Sequence, residues 1–158
     1  METENKLQAA QASASGRPEG SRQYATFVVG DSFFGINVTE VQEVLRYQEM
    51  TDVPLADPGI RGLINLRGQI VTALDMRRRL SLEPRMADSY PMNMVVRSDD
   101  GPVSLLVDEI GDVLEVRPEQ FELPPDNLDQ AHRQLIEGVY KLDNRLLLVL
   151  DREKVLQV

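Results

Sequence analysis

The chain contains two segments that repeat one another without a gap, and this repetition constrains its fold more than any other feature. Residues 60–75 and residues 136–151 align at an offset of 76 positions. Upstream, residues 38–45 and residues 107–114 align at an offset of 69. Two repeats in the same order predict two similar halves in one chain. The identities in the longer repeat are Ile60, Gly62, Leu66, Leu74 and Asp75, which recur as Ile136, Gly138, Leu142, Leu150 and Asp151.

The two copies differ at the turn between their predicted strands. Residues 65–68 read Asn-Leu-Arg-Gly, whereas residues 141–144 read Lys-Leu-Asp-Asn. Apolar positions that repeat between the copies indicate a common scaffold, and turns on a rigid scaffold are where binding residues concentrate. The first turn, which carries an arginine, is therefore a candidate functional site.

Composition argues against several classes of function. A net charge of -9 over 158 residues argues against a nucleic-acid partner, because phosphate binding requires clustered lysine and arginine. The absence of cysteine removes disulfides, cysteine–zinc sites and thiol catalysis, and it is typical of a cytoplasmic chain. No apolar run reaches the roughly 18 residues of a membrane span, so we expect no direct insertion into a membrane.

The N-terminal residues predict a disordered tail over residues 1–21, followed by one domain over residues 22–158. Residues 8–16 are small and polar, and Pro18 and Gly20 follow them. Such a segment lacks the apolar surface needed to offset the entropy lost on ordering.

Beyond the tail, short β-rich runs are separated by turn residues. Short helices are predicted from Thr39 to Leu45, after Asp75, and from Asp151 to Leu156. Many short strands in two halves predict a mainly β fold of two small barrels, which pack together and leave a groove between them. The predicted strands are residues 24–29, 33–37, 60–66, 69–74, 92–96, 103–107, 112–116, 136–142 and 145–150.

Candidate catalytic groups are sparse. His132 is the only histidine, and its polar neighbours favour a surface position, so no histidine-rich metal site is expected. Asp108 and Glu109 are adjacent carboxylates, but they align with Thr39 and Glu40, which favours helix capping over acid–base chemistry. No phosphate-binding glycine loop or nucleophile elbow is present. The sequence therefore indicates no reaction, no cofactor and no metal.

Residues 77–79 are three consecutive arginines, the one basic run of the chain. We interpret this run as a solvated turn whose aliphatic stems cover apolar surface. A contact with an acidic partner is the alternative. Three arginines are too few for nucleic-acid binding in so acidic a chain.

Four motifs, in order along the chain, together resemble those of the CheW family of chemotaxis coupling proteins. The resemblance extends from about residue 24 to residue 156, and its hallmark is the segment that contains the Asn-Leu-Arg-Gly turn. Thr72 and Ala73 depart from the family, which commonly has a proline after the preceding Ile-Val pair. The motifs are residues 33–44, 62–71, 107–114, and 137–139 with 147–151.

The resemblance implies two five-stranded SH3-like barrels related by internal pseudo-symmetry, with short helices. It also implies a cytoplasmic adaptor, recruited to membrane-associated receptor arrays, that joins chemoreceptor tips to the regulatory domain of the histidine kinase CheA. Such an adaptor uses no cofactor and catalyses no reaction. Two alternatives stay open: an adaptor of a non-flagellar chemosensory pathway, and an unrecognised enzyme with a cleft in which Glu40, Asp108 and Glu109 converge.

The resemblance further implies roles for individual positions. Arg67 is the expected receptor contact, while Asn65 orients the turn and Gly68 supplies its backbone freedom. Because the predicted helix and this turn are different elements, we expect the kinase and receptor surfaces to be separate. The positions implied for receptor binding are Asn65, Leu66, Arg67, Gly68, Ile70, Met94 and Val96, and those implied for kinase binding are Val41 and Glu43.

Some of these positions also fit a structural role. Val41, Met94 and Val96 have the apolar character of core residues. Glu43 aligns with Asp112 in the other half of the chain, so an acid recurs there, and helix capping is an alternative explanation for it.

Overall fold

The computed structural model describes residues 22–157, which form eleven strands and three short α-helices. The prediction of a disordered tail over residues 1–21 lies outside the described residues. Two 3-10 turns cover Val38–Glu40 and Pro118–Gln120. The helices are α1 Met76–Arg79, α2 Gln130–Arg133 and α3 Arg152–Leu156. The strands are β1 Arg22–Val29, β2 Ser32–Asn37, β3 Val41–Leu45, β4 Ile60–Leu66, β5 Gln69–Asp75, β6 Met92–Val96, β7 Val103–Val107, β8 Glu109–Val116, β9 Phe121–Glu122, β10 Ile136–Lys141 and β11 Leu146–Leu150.

The eleven strands form two sheets with matching strand orders. One sheet runs β8-β1-β2-β11-β10-β9, and the other runs β3-β6-β7-β5-β4. In each sheet the only parallel pair among the described strands occupies the same place, between β2 and β11 or between β7 and β5. The chain forms β1 and β2 of the first sheet, then all five strands of the second sheet, and finally β8 to β11 of the first sheet. The prediction of two SH3-like barrels related by pseudo-symmetry is confirmed, with the two-residue β9 as an additional strand.

The repeated glycines lie beside the same irregularity, a shift of strand register, in both halves. The β4–β5 ladder shifts register just before Gly62, and the β10–β11 ladder shifts just before Gly138. A Cβ on Gly62 would lie 2.7 Å from the Thr51 carbonyl oxygen, and one on Gly138 would lie 2.6 Å from the Glu122 carbonyl oxygen. Both positions therefore require glycine, because the backbone of a neighbouring segment lies too close to the bulged strand for a Cβ atom.

The largest core cluster joins the two sheets. Phe27 and Phe34 of the first sheet stack with ring centroids 5.4 Å apart, and they belong to the same buried cluster as Met94 and Leu105 of the second. Each sheet also has a smaller cluster of its own, centred on Tyr140 in one half and on residues of β4 and β5 in the other. The two barrels therefore pack together through one shared core.

The predicted helix from Thr39 to Leu45 is wrong. The segment begins as a 3-10 turn, which Asn37 caps through its contact with the Thr39 amide, and it continues as strand β3. A bulge between Val41 and Glu43 shifts the pairing of β3 with β6. The bulge interrupts the two-residue alternation of a strand, so the buried positions acquire a spacing that resembles that of a helix.

The two predicted helix starts at repeated aspartates are confirmed. Asp75 accepts a hydrogen bond from the Arg77 amide at the start of α1. Asp151 accepts one from the Lys154 amide at the start of α3. The repeated aspartate is therefore an N-cap in both halves, directly after the second strand of each repeated hairpin.

Candidate functional site

The turn between β4 and β5 presents Arg67 at the surface. Arg67 and Gly68 both have positive φ, of 52° and 87°, which is the conformation of a two-residue type I′ hairpin turn. The Asn65 side chain accepts a hydrogen bond of 2.9 Å from the Gly68 amide and so fixes the turn, as the sequence predicted. The Arg67 side chain is 73% exposed.

Glu43 of β3 holds the exposed arginine in place. Arg67 Nη1 lies 2.7 Å from Glu43 Oε2, and the Glu43 side chain is only 10% exposed. A carboxylate that is this buried requires a charged or hydrogen-bonding partner. Since β3 and β4 are the two edges of the five-stranded sheet, this ion pair links the edges of the barrel.

The expectation that Glu43 and Arg67 belong to separate surfaces is therefore wrong. They are 24 positions apart in sequence but share one ion pair. Glu43 lies in a strand rather than at a helix start, so the capping explanation is also wrong.

An exposed apolar side chain and an open groove lie beside the arginine turn. Ile70, the second residue of β5, is 60% exposed. The groove runs between β4 and the loop that precedes it, and Met50, Leu63 and Asn65 line it together with Ile70. Met50 and Leu63 were missed from the sequence, although Leu63 alternates with the buried Ile64 and so faces outward on β4.

Three of the proposed contact residues lie in the core instead. Val41, Met94 and Val96 are fully buried in the cluster that joins the two sheets. Their prediction as direct contacts is wrong for this structure, because all three side chains are enclosed in the core that the two sheets share. These side chains pack beneath the surface that carries Glu43.

Arg77, the first residue of the arginine run, forms an ion-pair network with Asp108 and Arg85. Arg77 Nη2 lies 2.8 Å from Asp108 Oδ2, and the Gly30 amide donates to the same carboxylate at 2.7 Å. Burial raises the pKa of Asp108, but hydrogen bonds from Arg77 and Gly30 and the charge of Arg85 outweigh it and hold that pKa below its ordinary value. The predicted capping role of Asp108 is wrong, and Arg77 is not a solvated turn residue.

His132 is buried, contrary to the prediction of a surface histidine. Its Nδ1 lies 2.7 Å from Asp129 Oδ1, its Nε2 lies 2.7 Å from Ser32 Oγ, and its ring stacks on Phe34. Asp129 caps α2 through the His132 amide, and this cap turns the imidazole towards the core. The histidine is therefore a packed structural residue that links α2 to β2.

The three carboxylates proposed for an enzymatic cleft, Glu40, Asp108 and Glu109, do not converge on one site. Glu40 pairs with Arg152, whose Nε lies 3.1 Å from Glu40 Oε2, while Asp108 pairs with Arg77 and Glu109 is exposed on β8. Residues 22–157 contain no group of three or more His, Asp or Glu side chains arranged to hold a metal ion. In the same residues, none of the helices has the length and apolarity to cross a membrane.

Two intertwined SH3-like barrels, with an ion-paired arginine turn at the edge of one sheet, define a small β-barrel binding scaffold. The chain belongs to the CheW-like domain family, whose model matches residues 23–158. Members of this family are coupling and scaffold proteins of chemotaxis.

Individual relatives agree with this assignment. The chain is 33% identical to the chemotaxis protein CheW of Bacillus subtilis over 130 residues, which covers 82% of this chain and 83% of that protein. It is 29% identical to protein PilI of Pseudomonas aeruginosa over 116 residues, 72% of this chain and 64% of PilI. The crystal structure of the scaffolding protein TtCheW from Thermoanaerobacter tengcongensis has the same fold, with a TM-score of 0.76 over 87% of this chain and 93% of that chain at 23% identity.

Proposed function

We propose that this protein is a cytoplasmic, non-enzymatic adaptor that couples chemoreceptor tips to the regulatory domain of the histidine kinase CheA. The observation that carries the proposal is the Arg67 turn, an exposed cation held by a buried carboxylate beside an exposed isoleucine and a groove. Family membership supports the scaffold role. The adaptor performs no chemistry; it is recruited to receptor arrays and shifts the kinase between activity states.

The receptor side of this surface consists of Asn65, Leu66, Arg67, Gly68 and Ile70. A helical receptor tip would lay its apolar face against Ile70 and the groove, in the manner of other helix-in-groove complexes. An acidic side chain on the same helix would meet Arg67, and complementary charge would set its register. Asn65 and Gly68 act indirectly, since they fix the turn conformation.

The kinase side includes Glu43, with Val41 as packing support rather than a contact. Because Glu43 fixes the Arg67 side chain, a change at either residue alters the other. The receptor and kinase contacts are therefore energetically coupled through one ion pair. Such coupling is reciprocal: receptor engagement changes kinase affinity by the same factor as kinase engagement changes receptor affinity.

A second candidate is an adaptor of a chemosensory pathway other than flagellar chemotaxis. The similarity to PilI, a protein that is not named for chemotaxis, favours it. Capture from the native cell with this protein as bait distinguishes the two, because it identifies the receptors and the kinase that are bound. Recovery of neither a receptor nor a histidine kinase would contradict both candidates.

Glu43→Lys is expected to weaken binding to both partners by about tenfold or more, because it removes a charge-assisted hydrogen bond and places two cations together. Titration calorimetry against the isolated regulatory domain and against a receptor signalling fragment measures the two affinities, and circular dichroism confirms folding. Glu109→Lys makes the same charge change at an exposed position of the other sheet and serves as the control. A folded variant that loses kinase affinity alone would show that the two contacts are independent.

A further inference from the structure

A second cavity contains four arginines, an unusual concentration in a chain of net charge -9. The cavity has a volume of about 300 Å³ and lies between the loop that follows β3 and the segment that follows α1. Asp75 is the only carboxylate in its wall among the described residues. The arginines are Arg61, Arg77, Arg78 and Arg85.

Two of these arginines are fixed by carboxylates, Asp75 in the wall and Asp108 behind it. The Arg85 side chain is 9% exposed, and its Nη1 lies 2.9 Å from Asp75 Oδ1. Arg85 Nε lies 3.0 Å from Asp108 Oδ1 without hydrogen-bond alignment, and Arg77 binds the same carboxylate. Even when Asp52, the partner of Arg61, is counted with Asp75 and Asp108, the arginines outnumber the carboxylates by four to three.

The other two arginines have donors available to a ligand. Arg78 is 47% exposed, and its contacts are long: 3.8 Å to Asp75 and 3.3 to 3.4 Å to two backbone carbonyls. Arg61 pairs with Asp52, an exposed surface residue. Surface pairs of this kind contribute little free energy, so an incoming anion can replace Asp52 at small cost. Arginine forks bind carboxylates through two parallel hydrogen bonds.

The rim of the same cavity is apolar and aromatic. The rings of Tyr47 and Tyr90 lie with centroids 4.7 Å apart, and Tyr90 is 65% exposed. Met86 is exposed beside them. Exposed tyrosine and methionine are enriched at protein interfaces, where they anchor apolar side chains of a partner. An inorganic ion would make no apolar contact with this rim, so the rim favours a ligand that also carries an apolar group.

We propose that this cavity binds a peptide segment of a partner protein that presents a carboxylate next to an apolar side chain. The carboxylate would enter between Arg78 and Arg61, and its apolar neighbour would rest on the Tyr47–Tyr90 pair. This site goes beyond the adaptor function proposed above and uses other side chains than the Arg67 turn. Met50 lines both cavities, so the two sites share a border.

Nuclear magnetic resonance on the full chain tests the site with a defined probe, the peptide acetyl-Gly-Leu-Asp-Leu-Gly-amide. We expect saturable shifts of the Arg78 side-chain Nε–H signal and of the Tyr90 ring signals. The matched peptide with asparagine in place of aspartate should bind about tenfold more weakly, because it cannot form a charge-assisted pair. Absence of shifts with the acidic peptide, or equal affinity for both peptides, would overturn the proposal.

Matched variants separate the two halves of the site. Arg78→Gln should weaken the acidic peptide about tenfold, whereas Arg117→Gln, an equal charge change at an exposed remote position, should not. Tyr90→Ala should weaken it several-fold, and Leu123→Ala, at another exposed apolar residue, should not. Equal affinity for inorganic phosphate or acetate would overturn the peptide assignment. None of these measurements involves a receptor or a kinase, so failure here and failure of the adaptor function are distinguishable.

Discussion

Gly138→Ala is expected to lower the free energy of unfolding by about 3 kcal/mol, and the melting temperature by about 10 °C. The new methyl group would lie 2.6 Å from the Glu122 carbonyl oxygen and would overlap the Phe121 ring. Rotation of the ring about its Cβ–Cγ bond leaves the Cζ atom in place, and the carbonyl belongs to β9, which pairs with β10 next to this glycine. Relief of the clash therefore requires β9 to move away from the sheet. Thermal and denaturant unfolding followed by circular dichroism measure the loss.

A second glycine isolates the effect of backbone strain. Gly68→Ala adds a methyl group with no neighbour within 4 Å, at a residue whose φ is 87°. It should cost only the left-handed backbone penalty of about 1 kcal/mol. If Gly138→Ala destabilises the protein no more than this control does, β9 can shift at little cost in free energy. The close approach would then not be the reason for the repeated glycine.

Arg67→Glu is expected to reduce receptor affinity at least thirtyfold, about 2 kcal/mol, because it reverses the exposed charge and places two carboxylates together. From the sequence, a substitution in an exposed turn should cost within about 0.5 kcal/mol of stability. The nearly buried Glu43 raises the expected cost to about 1–2 kcal/mol, since its carboxylate loses its 2.7 Å partner. Co-sedimentation with receptor fragments, together with circular dichroism, measures both effects.

The double variant Glu43→Lys with Arg67→Glu separates the ion pair from the surface cation. It restores opposite charges across the barrel edges, so it should melt closer to the wild type than either single variant does. Receptor co-sedimentation should remain lost, because the exposed turn then carries the wrong charge. If the double variant recovers receptor binding, the turn requires only an ion pair and not an arginine at position 67.

Local patterns in the sequence were sufficient to predict the hairpins, their turns and two of the helix caps. The Arg67-Gly68 turn and the caps at Asp75 and Asp151 depend on residues within three positions of one another. The internal repeat also allowed the two halves to be predicted as similar structures. It predicted equivalent hairpins at residues 60–75 and 136–151, and the structure gives both the same bulge and the same place in their sheets.

Contacts between distant segments could not be predicted in the same way. The Glu43–Arg67 pair joins two sheet edges, and nothing in either segment indicates the other as its partner. Arg85 could not be singled out from the sequence because it is an isolated arginine in a loop, yet it contacts the buried Asp75 and the half-buried Asp108. His132 has polar neighbours in sequence, and its burial depends on the approach of Ser32 from β2.

Sedimentation of three components tests the adaptor function most directly. A receptor signalling fragment on vesicles is mixed with the isolated kinase regulatory domain, with and without this protein. We expect the regulatory domain to sediment with the receptor only when the protein is present, and the Arg67→Glu variant to leave it in the supernatant. Equal sedimentation of the regulatory domain without the protein, or none with it, would contradict the adaptor function.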